Sequence, residues 1–194
     1  MVFCPQDCEY LLATVDGSST SEKRRLLSEW LLAWLELKTV CGEKGCVIFD
    51  IDDTLVDSKD RCFKEIHVVY NLCLTMGIRI YIITARPDTP RNRKLTETML
   101  HMNGYTHYEY MFMMPVMIQP TQLAISMFKE TAQISIAKVH TILASCGDRW
   151  SDHCRFPSEV LVDRSDDEWA IAFLPGMEHP SIKLSTEKYI EDQP

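Results

Sequence analysis

Asp50-Ile51-Asp52-Asp53-Thr54 follows directly on the apolar run Val47-Ile48-Phe49. The run reads as a buried strand, so three carboxylates and a hydroxyl leave it at one point in space. Side chains alternate along an extended chain, which puts Asp50 and Asp52 on the same side. Like charges held that close repel, and they are costly to remove from water. A cation between them would account for the arrangement. So would a division of labour in which one carboxylate attacks and the other carries a proton. A purely structural acidic turn at a strand end is the third reading.

Two further sites end in the same way. Ile80-Tyr81-Ile82-Ile83 is an apolar run closed by Thr84, and the stretch before Gly147-Asp148-Arg149-Trp150-Ser151-Asp152 closes on two more carboxylates. The elements that must hold them can be read from periodicity. Strands are expected at about residues 46–51, 78–83, 110–114, 139–144 and 169–174, the last followed by a tail with Pro175, Gly176 and Pro180. Helices are expected at about 59–76, 89–103 and 123–137, with Gly77 and Gly104 as stops. Before these comes a long amphipathic helix, with Leu26, Leu27, Trp30, Leu31, Trp34 and Leu35 at helical spacing, expected to lie outside the catalytic core. Alternating strands and helices imply right-handed crossovers and a largely parallel sheet. Such sheets bind ligands at the carboxyl ends of their strands, where Asp50, Thr84 and Asp148 are all expected.

Composition sets the frame. A chain of 194 residues and 22.4 kDa suits one domain with one core, here an N-terminal helical extension at about 1–40 and a core at about 45–175. The content of 46% hydrophobic and 25% charged residues argues against disorder. No run approaches the roughly 18 apolar residues of a membrane helix, and the first twenty residues lack the pattern of a secretion signal, so a cytoplasmic protein is expected. A net charge of −8 disfavours nucleic acid as a partner, since phosphate contacts need clustered Lys and Arg. The eight cysteines (4, 8, 41, 46, 62, 73, 146 and 154) contain no CxxC pair and read as free thiols; a zinc site from Cys4, Cys8, Cys41 and Cys46 has imperfect spacing.

Asp50-Ile51-Asp52-Asp53-Thr54-Leu55, the strand ending in Thr84, and Gly147-Asp148-Arg149-Trp150-Ser151-Asp152 together resemble the first, second and fourth motifs of the haloacid dehalogenase (HAD) superfamily. A narrower resemblance goes to the class B and plant acid phosphatases, including the vegetative storage proteins. It rests on Thr84-Ala85-Arg86-Pro87-Asp88, Arg93 with Thr96, Gly104-Tyr105, the Asp148 motif with Arg149 in place of Gln, and Phe173-Leu174-Pro175. The fold implied is a HAD-like three-layer α/β sandwich around a mostly parallel sheet. About 24 residues separate Thr54 from the next strand, enough for one crossover helix, so a minimal cap or none is expected, and with it an open site.

The resemblance implies roles. Asp50 would attack phosphorus, forming an aspartyl-phosphate. Asp52 would protonate the leaving oxygen and later take a proton from water. Mg²⁺ would be held by Asp50, the main-chain carbonyl of Asp52, and Asp148, with Asp152 a further ligand or a support. Thr84 would hydrogen-bond a phosphoryl oxygen. The motif lysine is assigned to Lys129, 19 residues before Asp148, with Lys138 as the rival. Arg86 is the best placed of Arg86, Arg91, Arg93 and Lys94 to meet an anionic substrate, although that cluster also reads as a solvated face.

Asp53 and Thr54 are expected to shape the turn, Thr54 by hydrogen bonding. Met111, Met113, Met114 and Met117 read as packing, Trp30 and Trp34 as anchors for the first helix, and the six histidines as incidental, with His153 within reach of the pocket mouth. The activity implied is Mg²⁺-dependent hydrolysis of small phosphate monoesters. The alternatives are a phosphatase of protein or nucleic-acid ends, and a storage or binding protein with a degenerate site. Oligomeric state is not legible.

Overall fold

The computed structural model describes residues 11–14, 19–116, 119–149, 152, 170–173 and 179–184. The elements run β1 (Leu11–Thr14), α1 (Thr20–Val40), β2 (Cys46–Phe49), α2 (Lys64–Thr75), β3 (Arg79–Pro87), α3 (Pro90–Met102), β4 (Tyr110–Met114), α4 (Gln122–Ala137), β5 (Ile142–Gly147), β6 (Ala170–Phe173) and β7 (Pro180–Lys183). They form one seven-stranded sheet in the order β1-β6-β7-β5-β2-β3-β4. The pairs β7–β5, β5–β2, β2–β3 and β3–β4 are parallel, whereas β6 pairs antiparallel with both β7 and β1. The expected mostly parallel α/β sandwich is therefore present, with an antiparallel edge.

Two apolar clusters define the layers. Val47, Phe49, Ile80, Ile82, Cys146 and Ile182 pack with Leu27, Leu31 and Leu35 of α1 and with Ile66, Val69 and Tyr70 of α2. On the opposite face Cys46, Ile48, Tyr81, Ile83 and Ile142 meet Ala132 and Ile136 of α4. The alternation of β2 thus feeds both clusters, as a strand buried on two sides requires. Met111, Met113 and Met114 are buried, in line with a packing role, while Met117 lies outside the described residues.

The first helix differs from expectation in one respect. It does not stand outside the core: Leu27, Leu31 and Leu35 recur every fourth residue and are wholly buried in the main cluster. Ser19 caps it, accepting from Glu22 N at 3.2 Å. Trp30 and Trp34 stack with centroids 5.8 Å apart, and Trp34 Nε1 donates to the Leu143 carbonyl at 2.8 Å. Ahead of it, residues 11–14 form a strand instead of continuing a helical extension.

Local chemistry moved several boundaries. The helix expected from residue 59 starts at Lys64 because residues 57–62 form a small hairpin around Asp57. That carboxylate accepts from Lys59 N, Arg61 N and Arg61 Nε at 2.8, 2.9 and 2.7 Å. The strand expected at 139–144 begins at Ile142, since Val139 N and His140 N both close turns onto the Ile136 carbonyl. The expected tail contains β7, which lies between β5 and β6. No insertion large enough for a cap domain interrupts residues 54–116.

Candidate active site

The parallel ladder carries Asp50 to the carboxyl edge of β2, where Asp50 N still donates to the Cys146 carbonyl of β5 at 2.9 Å. The chain then turns abruptly. The Ile51 carbonyl accepts from the N–H groups of Thr54, Leu55 and Val56 at 3.3, 2.9 and 3.1 Å, and Asp53 adopts a left-handed φ of 55°. Short polar residues such as Asp tolerate that conformation, which suits the expected turn role of Asp53. Thr54 departs from expectation: its main chain joins the turn, but its buried hydroxyl has no hydrogen-bond partner among the described residues.

This turn separates the two catalytic candidates. Asp50 is buried, whereas the Asp52 side chain is 56% exposed and faces Arg86. Arg86 Nε lies 3.1 Å from Asp52 Oδ2, and Arg86 Nη2 lies 2.6 Å from Asp52 Oδ1 and 3.5 Å from Asp60 Oδ1. The rule of alternation does not reach Asp52, because β2 ends at Phe49 and the chain is no longer extended. The two carboxylates still feel one another: Asp52 contributes to raising the pKa of Asp50.

Lys129 comes from the middle of α4 and is itself buried. Its Nζ donates to Asp50 Oδ1 and to Asp152 Oδ1, both at 2.7 Å. Lys138, the rival, stands exposed at the C-terminal end of the helix. Asp148 follows β5, and its carboxylate lies with those of Asp50 and Asp152 so that one oxygen from each falls within 4.8 Å of the others. Asp152 is held tightly: Oδ2 accepts from Arg149 N at 2.9 Å, and its main-chain carbonyl accepts from Gln133 Nε2 at 2.6 Å. Gly147 makes room for it, since a Cβ there would lie 2.5 Å from Asp152 Cβ.

Burial dominates the electrostatics. It raises the pKa of Asp50, Lys129 opposes it, and Asp152 and Asp52 add to the rise. Asp148 is raised further, by burial first and then by Asp152 and Asp50. Burial also works against the Lys129 ammonium, but Asp152 and Asp50 outweigh it and hold its pKa above the usual value. One ammonium cannot neutralise three buried carboxylates, and a divalent cation would relieve the excess.

Thr84 is fully buried in β3, which runs on to Pro87 instead of ending at the threonine. Pairing with β4 shifts register just after Thr84, and Thr84 Oγ1 accepts from Arg86 N at 3.2 Å. Register places Ile82 beside Phe49, so Thr84 lies near the level of the Asp50 turn. Arg93 pairs with Asp88 at 2.9 Å, while Arg91 and Lys94 are exposed and belong to a solvated face. His153 lies outside the described residues, as do Cys4, Cys8 and Cys154. Cys41, Cys46, Cys62, Cys73 and Cys146 are free thiols, and the three-Asp group is the sole metal-capable cluster among the described residues.

Two contributors were not foreseen from sequence: Gln133 and Asp60. Gln133 had a usable signal, because it stands four residues after Lys129 and so shares its helix face.

No family model matches the chain, and no curated protein matches it. Solved structures do. The fold is shared with a class C acid phosphatase. The structure of that protein from Bacillus anthracis matches with a TM-score of 0.60 at 15% identity, over 73% of this chain and 67% of that one. The same phosphatase with tungstate bound matches with a TM-score of 0.53 at 15% identity, over 71% and 73%. These matches agree with the HAD-like architecture expected from the motifs. They are class C proteins, so they lend nothing to the narrower class B and plant resemblance.

Proposed function

We propose that this protein is a divalent-metal-dependent phosphomonoester hydrolase that works through an aspartyl-phosphate on Asp50. The observation that carries the reading is the buried Asp50–Lys129–Asp152 network, with Asp148 beside it, at the carboxyl edge of adjacent parallel strands. An ammonium and a metal-capable carboxylate group around one buried Asp suit phosphoryl transfer, whose transition state needs positioning and charge neutralisation. One of the structures similar in fold holds tungstate, a tetrahedral oxyanion.

Asp50 attacks phosphorus and the P–O bond to the alcohol breaks. Asp52 gives its proton to the leaving oxygen, then accepts one from the water that cleaves the acyl phosphate. Arg86 aims Asp52 and also presents a cation to the substrate. Thr84 Oγ1 accepts from Arg86 N, which leaves its O–H to donate to a phosphoryl oxygen. Lys129 offsets charge on the phosphoryl group and on Asp50.

The donor set fits Mg²⁺, since it is all oxygen: Asp50 and Asp148 carboxylates with the Asp52 carbonyl. Asp152 acts as a support, because both its oxygens already accept hydrogen bonds. When bound, such an ion neutralises the carboxylates and polarises the phosphoryl group. Exposure of Asp52 and the lack of a cap-sized insertion within residues 54–116 support an open site. Small esters are favoured, and the ends of macromolecules are the second reading.

The test is hydrolysis of an aryl phosphate with and without Mg²⁺. Turnover should vanish in excess EDTA and in Asp50→Asn. Full activity in either rejects the mechanism. No turnover on a broad phosphoester panel, alongside tight binding of a partner, favours the storage or binding reading.

A further inference from the structure

α4 reaches the acidic loop twice, from one face. Lys129 and Gln133 are separated by one helical turn, and both are buried. Lys129 holds the Asp152 carboxylate at 2.7 Å, and Gln133 Nε2 holds the Asp152 main-chain carbonyl at 2.6 Å. The orientation of the amide is dictated by its partner, because a carbonyl oxygen can only accept. A third contact comes from Arg149 N to Asp152 Oδ2, and Gly147 lies flush beneath the residue. Asp152 is thus fixed at both ends, its carboxylate by a charge and its backbone by a neutral amide.

From this we infer that Gln133 is a positioning residue for the divalent-cation site, acting through Asp152. The inference rests on the metal-dependent reading above. A buried amide donor left out of the core would be a cheap omission if the loop needed no fixed shape. An apolar residue would fill the same volume without the cost of burying amide atoms. Gln133 Oε1, moreover, is buried without a hydrogen-bond partner among the described residues, so the position accepts a polar penalty to keep the Nε2 contact. Groups that orient metal ligands from behind matter in proportion to how sharply the ion needs its geometry, and Mg²⁺ is demanding in that respect.

The experiment measures Mg²⁺ binding by isothermal titration calorimetry in the full chain, using wild type, Gln133→Met and Gln133→Asn. Methionine fills the space without the donor, and asparagine keeps the amide but cannot span the gap. Both variants should raise the Kd for Mg²⁺ about 10- to 100-fold. Their melting temperatures in EDTA should stay near wild type, and kcat should recover at saturating Mg²⁺. If wild type binds Mg²⁺ and a cooperatively melting variant binds it equally well, the role of Gln133 is refuted while the metal site stands. If wild type binds no Mg²⁺, the metal-dependent reading falls and takes this one with it. If neither variant melts cooperatively, Gln133 serves stability alone, and the positioning role is rejected.

Discussion

Lys129 Nζ lies 2.7 Å from Asp50 Oδ1, with both side chains almost wholly buried. The contact joins the middle of a helix on one face of the sheet to the residue that follows β2. Lys129→Met leaves Asp50, Asp148 and Asp152 without their ammonium. Breaking a buried charge pair by removing one partner costs on the order of 3–5 kcal/mol. If Lys129 serves the transition state as proposed, its loss should lower kcat about 10²- to 10³-fold. Thermal unfolding in EDTA and steady-state kinetics check the two effects. A melting temperature unchanged from wild type would contradict the account of the pair.

Arg86 and Asp52 should behave differently, because their pair is partly open to water. Arg86→Ala is expected to change stability by less than about 1 kcal/mol. Its effect belongs in catalysis, with kcat/KM lower by about 10- to 100-fold through loss of orientation. Arg86→Lys should not restore activity, since an ammonium cannot reproduce the two-nitrogen grip on Asp52. Recovery in the lysine variant would show that charge alone matters there.

On the proposed reading, acid and metal compete for the carboxylates. The pKa values of Asp50 and Asp148 are raised in the fold, so their neutral forms are the comfortable ones without metal. Their contribution to the stability of metal-free protein is complete below the unfolded value of 3.8 and fades as pH rises through the raised values. On the proposed reading, a bound Mg²⁺ offsets that loss. The difference in melting temperature with and without Mg²⁺ should therefore widen from pH 5 to pH 8, a trend that scanning calorimetry reads directly. A constant or shrinking gap would count against the cluster as the metal site.

His179 acts in the opposite direction, at a distance from this chemistry in sequence. Burial lowers its pKa from 6.5 to about 4. Its stabilising contribution is complete above 6.5 and is lost as pH falls towards 4, amounting to about 3 kcal/mol. His179→Leu should remove that slope, so the variant should gain stability relative to wild type as the pH drops. Parallel curves between pH 4 and 7 would exclude the effect.

Gly147→Ala tests the seating of Asp152. The added Cβ would meet Asp152 Cβ at 2.5 Å and Oδ2 at 2.6 Å, so the loop must shift. Mg²⁺ affinity and kcat/KM should each fall at least about tenfold, with far-UV circular dichroism preserved. Wild-type affinity in this variant would mean that the loop tolerates movement.

The sheet and its crossovers were legible because strands buried on both faces write themselves as continuous apolar runs, as at Val47-Ile48-Phe49 and Ile80-Tyr81-Ile82-Ile83. The acidic residues at their ends were legible for the same reason, since charge at the edge of such a run has few structural excuses. The direction of Asp52 was not, because the turn depends on three N–H groups converging on Ile51 O, and alternation says nothing about that. β1 and β7 escaped notice at four residues each, the latter opening on a proline that reads as a loop. Gln133 was hidden by its neutrality, since only its spacing from Lys129 singled it out.

The position of β7 bears on how the chain reaches its native state. The last strand in sequence among the described residues pairs with β5 on one side and β6 on the other, deep inside the sheet rather than at its rim. During synthesis the earlier parallel strands can associate, but β5 keeps an unsatisfied edge until residues 180–183 arrive. Contacts of long sequence separation of this kind slow folding and expose strand edges to other chains meanwhile. A version shortened just before Pro180 would lose an interior rung, and its remaining strands would be prone to aggregation.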